Sequence, residues 1–231
     1  SLLSSDKDFS SSFLSGFVIS LIYGHLKKKY QHKMKKVNEI IVGTNNSGKY
    51  KEICDLLPNK IKKYSPKEFE ISSPKEIGKS FAENSMIKAS YFSKKTNLVC
   101  LSDDSGLEIE LLKGAPGIYS ARWGGKNNNF DKAIQKVFKE MEKIKKDWEN
   151  KNAARFVCCM TLFWPNGINY SSKGTVKGKI SEKKIGNNGF GYDPIFIPNG
   201  FYKTFGEMKP KLKLSIDHRF KAYLKIKKFF N

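Results

Sequence analysis

The sequence of 231 residues predicts an α/β fold, and three segments carry that prediction. Residues 40–57 pass from an apolar, strand-like run through a short polar loop into a helical pattern. Residues 98–101 have the composition of a buried strand. Residues 153–163 and 168–180 are two longer strand-like runs separated by a turn signal. Strands that alternate with helices are typical of α/β proteins, and a chain of this length can bury one ordinary core.

A polar loop, Thr44-Asn45-Asn46-Ser47-Gly48-Lys49, joins the first predicted strand to the first predicted helix. Unpaired backbone N–H groups and the positive end of the helix dipole meet at such a junction, and Lys49 adds a full positive charge. The loop therefore favours a bound phosphate. A plain turn rich in small polar residues remains an alternative.

The same segment nearly matches a P-loop. Gly43-x4-Gly48-Lys49 fits that motif, but Tyr50 stands where a Ser or Thr would hold magnesium. Because this mismatch removes a metal ligand, the sequence argues against a P-loop nucleoside triphosphatase.

Two adjacent carboxylates, Asp103 and Asp104, follow the apolar run 98–101, and we expect them at the C-terminal end of that strand. One or two carboxylates, with waters and phosphate oxygens, are the ligands that Mg2+ prefers. Neighbouring side chains in a strand point to opposite faces, so we expect only one of the pair to face a site. A turn that begins with Asp is the alternative interpretation.

The remaining elements have local signals. Ser80-x-x-Glu83 is a capping box, which predicts a helix start and gives Glu83 a structural role. Another helix is expected to begin at Asn129. Trp164-Pro165-Asn166-Gly167 predicts a hairpin turn between the two long strands. The last predicted helix contains Phe220, Tyr223 and Leu224.

Composition narrows the function classes. The net charge of +21 invites a nucleic-acid hypothesis, but the basic residues are 40 lysines and only three arginines. Arginine is the better reader of phosphate and guanine, so we expect no specific nucleic-acid partner. The four cysteines lie in apolar runs without a C-x-x-C pair, which argues against zinc and favours a reduced, cytoplasmic setting.

Residues 1–33 do not share this pattern. Their apolar run, residues 13–23, is shorter than the ~20 residues of a membrane span, and it lacks the flanks of a secretory signal. We expect a poorly ordered extension, or an upstream start ahead of Met34, and no membrane association. An interfacial anchor is the alternative.

Short motifs recur along the chain at residues 44–49, 80–84, 102–107, 114–122, 189–194 and 217–219. Together these blocks resemble the non-canonical purine nucleoside triphosphate pyrophosphatases, that is, the dITP/XTP/ITP pyrophosphatase family. They occur in the family order, and the resemblance covers residues 34–231.

The resemblance implies a single two-lobed domain over residues 34–231. Its fold would have two lobes around a long, mixed central sheet with flanking helices, and a nucleotide cleft between the lobes. The implied reaction is Mg2+-dependent hydrolysis of non-standard purine nucleoside triphosphates (ITP, dITP and XTP) to monophosphate and pyrophosphate, which cleanses the nucleotide pool. A homodimer is implied by the same route.

The resemblance also implies residue roles. Asp104 would be the catalytic residue and a metal ligand, and Glu76 the second metal ligand. Phe190 can stack on a purine because every base has a π-face, and His218 and Arg219 offer donors that suit a 6-oxo group. Asp217 departs from the usual Ser, which puts binding near the base in doubt. The substrate-binding residues would be Thr44, Asn45, Asn46, Ser47, Gly48, Lys49, Lys88, Ser105, Phe190, Gly191, Tyr192, Asp193, Lys213, His218 and Arg219.

Two other classes stay open at this point. Maf-like pyrophosphatases share an anion loop but act on other nucleotides. A basic nucleic-acid-binding or septum-associated interaction protein would need only the folded, positively charged surface. The combination of Lys49, Asp104 and the His218-Arg219 pair favours the purine nucleoside triphosphate pyrophosphatase over both.

Overall fold

A computed structural model describes residues 37–125 and 128–230. Over these ranges the chain has the predicted α/β fold, with six strands and five α-helices. The predictions made for residues 1–33 lie outside the described residues. In chain order the elements are β1 (Glu39–Val42), α1 (Ser47–Leu56), β2 (Lys62–Tyr64), α2 (Phe81–Thr96), β3 (Cys100–Ile109), α3 (Phe130–Ile144), β4 (Ala153–Phe163), β5 (Asn169–Ile180), β6 (Phe196–Pro198), α4 (Pro210–Ile216) and α5 (His218–Ile226).

The strands form one mixed sheet in the order β2-β1-β3-β4-β5-β6. The short strand β1 is parallel to β2 and β3, whereas β3, β4, β5 and β6 pair antiparallel. The three central strands β3, β4 and β5 are the long ones, with 10, 11 and 12 residues. This confirms the predicted long, mixed central sheet.

Strand β3 is longer than the sequence predicted, and the expected position of the two aspartates at its end is wrong. Pairing between β1 and β3 stops at Val42 and Leu101, but β3 continues beside β4 as far as Ile109. Asp103 and Asp104 therefore lie within the strand. They follow the point at which β1 leaves the sheet, so one side of β3 is open to side chains from α1.

Helices cover the two faces of the central strands. On one face, Phe81 of α2 packs with Val157 and Cys159 of β4. On the other face, the His218 ring of α5 stacks on Phe156 with 4.7 Å between ring centroids. The apolar core is divided accordingly into a larger group around α3 and β6 and a smaller group beneath α2. Side chains from both faces can thus meet where β1 ends.

The local signals are confirmed at the helix ends. Ser80 caps α2 by accepting a hydrogen bond from the Glu83 N–H (3.2 Å), and the Glu83 carboxylate accepts one from the Lys79 N–H (2.8 Å). Asn129 caps α3 through the Lys132 N–H, at 3.1 Å. Gly167 takes a φ of 87° in the predicted hairpin turn, a conformation that glycine adopts readily.

Over the described part of the chain, no helix combines the length and the apolar character needed to cross a membrane.

Candidate active site

A cleft of about 660 Å3 opens beside the middle of β3. Its wall includes the loop before α1, the middle of β3, and residues of α2, α4 and α5. Every residue that the sequence assigned to the site lines this cleft, with the exception of Gly48. The lining residues that were predicted are Thr44, Asn45, Asn46, Ser47, Lys49, Glu76, Lys88, Asp104, Ser105, Phe190, Gly191, Tyr192, Asp193, Lys213, His218 and Arg219.

The loop before α1 is held open by its own side chains. Asn46 caps the helix by accepting a hydrogen bond from the Lys49 N–H at 3.0 Å, and its own N–H donates to Thr44 Oγ1 at 3.2 Å. Asn45 Nδ2 donates to Ser73 Oγ at 3.0 Å, which ties the loop to the opposite wall. The exposed end of α1 faces the cleft and can receive an anion.

Gly48 has a packing role instead of a lining role. A Cβ atom at this position would lie 2.6 Å from the Phe190 ring, closer than any side chain tolerates. The absence of a side chain therefore lets Phe190 pack directly on the start of α1. This contact brings an aromatic face next to the anion loop.

Asp104 lines the cleft on the α2 side of the sheet. Its carboxylate accepts hydrogen bonds from Asn84 Nδ2 (3.2 Å) and Lys88 Nζ (3.5 Å). Burial raises the pKa of Asp104, and the opposing effect of Lys88 and Lys49 does not cancel this rise. A carboxylate with a raised pKa is a better proton acceptor near neutral pH than an ordinary aspartate.

Asp103 lies behind Asp104, on the α5 side of the sheet, as strand alternation predicted. Its side chain is fully buried and accepts hydrogen bonds from Arg219 Nη2 (3.1 Å) and Ser105 Oγ (3.0 Å). Burial raises the pKa of Asp103, but Lys49 and Arg219 outweigh it and hold this pKa well below its usual range. Asp103 therefore stays ionised and serves as an anchor for cations.

Lys49 joins the two aspartates. Its Nζ lies 3.6 Å from Asp103 Oδ2 and 3.9 Å from Asp104 Oδ1. Only Asp104 of the pair lines the cleft, as expected, although both carboxylates share one ammonium at the end of the anion loop.

Glu76 and Lys88 form the next pair along the wall. Lys88 Nζ lies 2.5 Å from Glu76 Oε1 and 3.5 Å from Asp104 Oδ1. Burial acts to lower the pKa of Lys88, but the two carboxylates more than offset it and raise that pKa. For Glu76, burial acts upward while Lys88 and Lys49 prevail and lower the pKa. All the groups of this pair carry charge at neutral pH.

The predicted metal ligands fit a hard divalent cation. Asp104 and Glu76 both line the cleft and both contact the same lysine, so their oxygens converge on one region. Among the residues that the structure describes, no group of three or more His, Cys, Asp or Glu side chains is placed to hold a metal. Mg2+ needs only one or two protein carboxylates when phosphate oxygens and waters complete its shell. The Lys88 ammonium would have to yield its place between the carboxylates.

The far end of the cleft contains a buried ionic cluster. Lys213 Nζ lies 2.6 Å from both Asp193 Oδ2 and Glu52 Oε1. Arg219 also bonds Glu52, through the opposite carboxylate oxygen. The Phe190 ring lies beside these cations, with Lys213 Nζ 5.0 Å from its centroid. An aromatic face and fixed donors thus meet at one place.

His218 is a neutral member of this end. Burial lowers its pKa well below the usual value, and the neighbouring Arg219 and Lys213 lower it further. Its Nδ1 is buried and has no hydrogen-bond partner among the described residues. Stacking on Phe156 fixes the ring plane. A neutral imidazole held this way can form one hydrogen bond with a polar atom of a ligand.

The loop of residues 189–194 is fixed from within. Asp193 Oδ2 accepts a hydrogen bond from the Phe190 N–H at 2.8 Å, and Tyr192 donates its hydroxyl hydrogen to the Ser120 carbonyl at 2.8 Å. Gly191 has a φ of 67°, which allows the chain to turn between them. The loop therefore presents Phe190 on a rigid base.

A continuous row of ion pairs runs from one end of the cleft to the other. Each residue in the row lies within salt-bridge distance of the next residue. In order of contact the row is Glu76, Lys88, Asp104, Lys49, Asp103, Arg219, Glu52, Lys213 and Asp193.

Several residues of the site were not predicted from the sequence, and Glu52, Asn84 and Arg122 are among them. Glu52 follows Lys49 by one helical turn, so its position on the same face of α1 was a usable signal. Asn84 and Arg122 lie in blocks that carried the family resemblance, yet neither was assigned to the site. Arg122 lines the cleft, whereas Asn84 and Glu52 act on residues that do.

Asp217, the departure from the family pattern, does not line the cleft. It is fully buried and caps α5 by accepting a hydrogen bond from the Phe220 N–H at 2.7 Å. Burial raises its pKa to about 6, against the opposing effect of Arg219. Asp217 can therefore act on the cleft only indirectly, through the start of α5.

This is an α/β protein with a cation-rich cleft that ends at an aromatic ring, and comparison with known proteins gives the family. The model of the Ham1 family matches residues 40–229. The chain therefore belongs to the Ham1 family.

Curated relatives and solved structures agree with this assignment. The chain is 41% identical over 185 residues to the dITP/XTP pyrophosphatase of Zymomonas mobilis, which covers 80% of this chain and 88% of the relative. It is 37% identical over 189 residues to the dITP/XTP pyrophosphatase of Caulobacter vibrioides, covering 82% of this chain and 96% of the relative. Its structure resembles that of a HAM1 protein from Coxiella burnetii, with a TM-score of 0.74, 36% identity and coverage of 82% and 96% of the two chains.

Proposed function

We propose that this protein is an enzyme that hydrolyses non-standard purine nucleoside triphosphates, namely ITP, dITP and XTP, to the monophosphate and pyrophosphate. The observation that carries the proposal is the single row of ion pairs that leads from two cleft carboxylates to an aromatic ring. Such a cleft suits a ligand with a polyphosphate at one end and a flat base at the other. The names of the curated relatives, dITP/XTP pyrophosphatases, support the same reaction.

Hydrolysis at the α-phosphorus needs a water, an acceptor for its proton and cations over the leaving pyrophosphate. Asp104 is the proton acceptor in this proposal, because burial raises its pKa while it faces the cleft. Lys49 and the start of α1 hold the phosphate that is attacked. Asn84 keeps the Asp104 carboxylate in its orientation.

We further propose that Asp104 and Glu76 hold Mg2+. When bound, the ion would supply positive charge that neutralises the phosphate oxygens. Lys88, which now contacts both carboxylates, would then turn its ammonium towards the phosphates. This rearrangement keeps a cation beside each carboxylate.

Base choice is proposed to depend on Phe190, His218 and Arg219. Phe190 stacks on the purine, and the two donors face a 6-oxo group. The 6-amino group of ATP would leave a buried donor opposite another donor, at a cost of about 1–3 kcal/mol for each unpaired group. ITP should therefore be preferred over ATP.

Three further predictions from the sequence stay predictions: a domain boundary near residue 34, a homodimer and a cytoplasmic location. They belong to the same proposal and none of them is needed for the chemistry of the cleft.

A panel of nucleoside triphosphates, assayed for pyrophosphate release with and without Mg2+, tests the proposed function. We expect Mg2+-dependent release from ITP, dITP and XTP and little from ATP. Preferential turnover of other nucleotides would favour a Maf-like enzyme instead. No turnover of any nucleotide, together with salt-sensitive nucleic-acid binding, would favour the nucleic-acid alternative.

A further inference from the structure

The lysines and arginines that line the cleft differ in their partners. Over the part of the chain that the structure describes, Lys49, Lys88, Lys213 and Arg219 each lie within 4.0 Å of a carboxylate. Arg122 lines the same cleft and has no carboxylate within that distance among those residues. Among the described residues, Arg122 therefore has no direct ion pair, unlike the other four cations.

The Arg122 guanidinium is nevertheless held in place. Its Nη2 donates a hydrogen bond to the backbone carbonyl of Glu76 at 2.7 Å, and its Cζ lies 5.1 Å from the centroid of the Tyr119 ring. A guanidinium has five N–H donors in a planar fork, so these contacts leave donors available. The group is prepared for a planar, bidentate contact with an anion.

Arg122 also stands at a defined end of the site. It contacts the Glu76 segment, which begins the row of ion pairs, whereas the row ends at Asp193 next to Phe190. A nucleotide with its base on Phe190 and its first phosphate near Asp104 would extend its outermost phosphate towards Glu76 and Arg122.

We infer that Arg122 binds the terminal phosphate of the substrate and holds the pyrophosphate that leaves. This inference rests on the proposed function for the identity of the substrate. Arg122 would then select for the length of the phosphate chain, while Phe190, His218 and Arg219 select the base. Triphosphates would be preferred over diphosphates for this reason.

The test compares Arg122→Gln with Arg155→Gln. Arg155 is a matched control, because it is half-exposed on β4, pairs with Glu108 and lies outside the cleft. Binding of pyrophosphate and of IMP to each protein is measured by calorimetry with Mg2+ present. We expect Arg122→Gln to weaken pyrophosphate binding by about 10- to 100-fold, the range for a hydrogen bond to a charged group, and to leave IMP binding unchanged. Arg155→Gln should change neither.

Kinetics with ITP and IDP add a second readout. Arg122→Gln should lower kcat/KM for ITP by a similar factor and have little effect on IDP, which lacks the outermost phosphate. Arg122→Lys, which keeps the charge and loses the fork, should recover part of the loss. Thermal unfolding of each variant establishes that the fold is intact.

Two results would overturn the inference. One is an equal loss of pyrophosphate and IMP binding. The other is an unchanged affinity for pyrophosphate with a higher Mg2+ requirement, which would mean that Arg122 acts only by holding the Glu76 segment. If the wild-type protein fails to hydrolyse ITP while its pyrophosphate binding still depends on Arg122, the proposed function fails, and only the assignment of Arg122 to pyrophosphate binding stands.

Discussion

Glu52 and Arg219 are bonded side chain to side chain, although 167 positions separate them in the sequence. Glu52 lies on α1, directly after the anion loop, and Arg219 lies on α5 at the other end of the cleft. The same carboxylate also bonds Lys213. One partly buried acidic residue therefore links α1 to the buried cations of α4 and α5.

Glu52→Gln should impair base selection. The amide cannot balance two buried cations, so Lys213 and Arg219 would repel each other and lose their positions. We expect kcat/KM for ITP to fall by about 10- to 100-fold, in line with loss of a charged hydrogen bond, and the preference for ITP over ATP to narrow. Steady-state kinetics on both substrates measure this. Glu142→Gln, on the exposed side of α3, is the control and should behave as wild type. If the ratio of kcat/KM for ITP to kcat/KM for ATP is unaltered in Glu52→Gln, then Glu52 does not influence base selection.

The two neighbouring aspartates should separate catalysis from stability. Asp104→Asn removes the proposed proton acceptor, and we expect kcat to fall by at least about 100-fold, the lower range for general base catalysis. Since burial raises the pKa of Asp104, losing its charge should not lower the free energy of unfolding.

Asp103→Asn, in contrast, should lower the free energy of unfolding. Its pKa is depressed by Lys49 and Arg219, so the folded protein gains stability from this charge. Leaving a buried cation without its partner costs about 3–5 kcal/mol. Denaturant unfolding of both variants checks the contrast. An equal loss of stability in both variants would show that the two carboxylates are not distinguished by their cations.

Asp217 should make stability depend on pH. Burial raises its pKa from 3.8 to about 6, so the folded protein binds this proton more tightly than the unfolded chain. The stabilising contribution is fully present below about pH 4 and is lost as the pH rises through about 6, at ~1.4 kcal/mol for each pKa unit.

Asp217→Asn keeps a side-chain oxygen that can cap α5 and removes the charge. We expect this variant to be about 3 kcal/mol more stable than wild type at pH 8, given ~1.4 kcal/mol for each pKa unit, and equal to it near pH 4. Unfolding curves at both pH values measure the difference. A constant difference at the two pH values would mean that Asp217 does not titrate in this range.

Local sequence signals predicted the parts of the fold that depend on nearby residues. The caps at Ser80 and Asn129 and the turn at Gly167 each involve a few neighbouring residues, and each is present. The course of β3 was missed because Ser, Asp and Gly are poor strand formers on their own. Antiparallel pairing with β4 overrides that preference, and no local pattern encodes the partner strand.

The candidate site divides in the same way. The loop that ends at Lys49 was predicted from its own chemistry, whereas Glu76, Lys88 and Lys213 were predicted only from the family resemblance. The partners behind the wall were not predicted, because ion pairs such as Arg219 with Glu52 or Asp103 depend on which elements the topology brings together. The sequence indicated the charges but not their pairing.

A chain that begins at Met34 should fold and retain activity. All the blocks that carry the family resemblance, and the matched residues 40–229, follow this residue. Circular dichroism, size-exclusion chromatography and the ITP assay would compare it with the full chain. Loss of solubility or of a dimer would show that residues 1–33 take part in the working protein.

The most direct measurement follows the oxygen of water into the products. ITP is hydrolysed in water enriched in oxygen-18, the products are separated, and their masses are measured by mass spectrometry. Attack at the α-phosphorus, with Asp104 as proton acceptor, predicts one heavy oxygen in IMP and none in pyrophosphate. Heavy oxygen in the pyrophosphate, or release of orthophosphate as the labelled product, would contradict the proposed reaction.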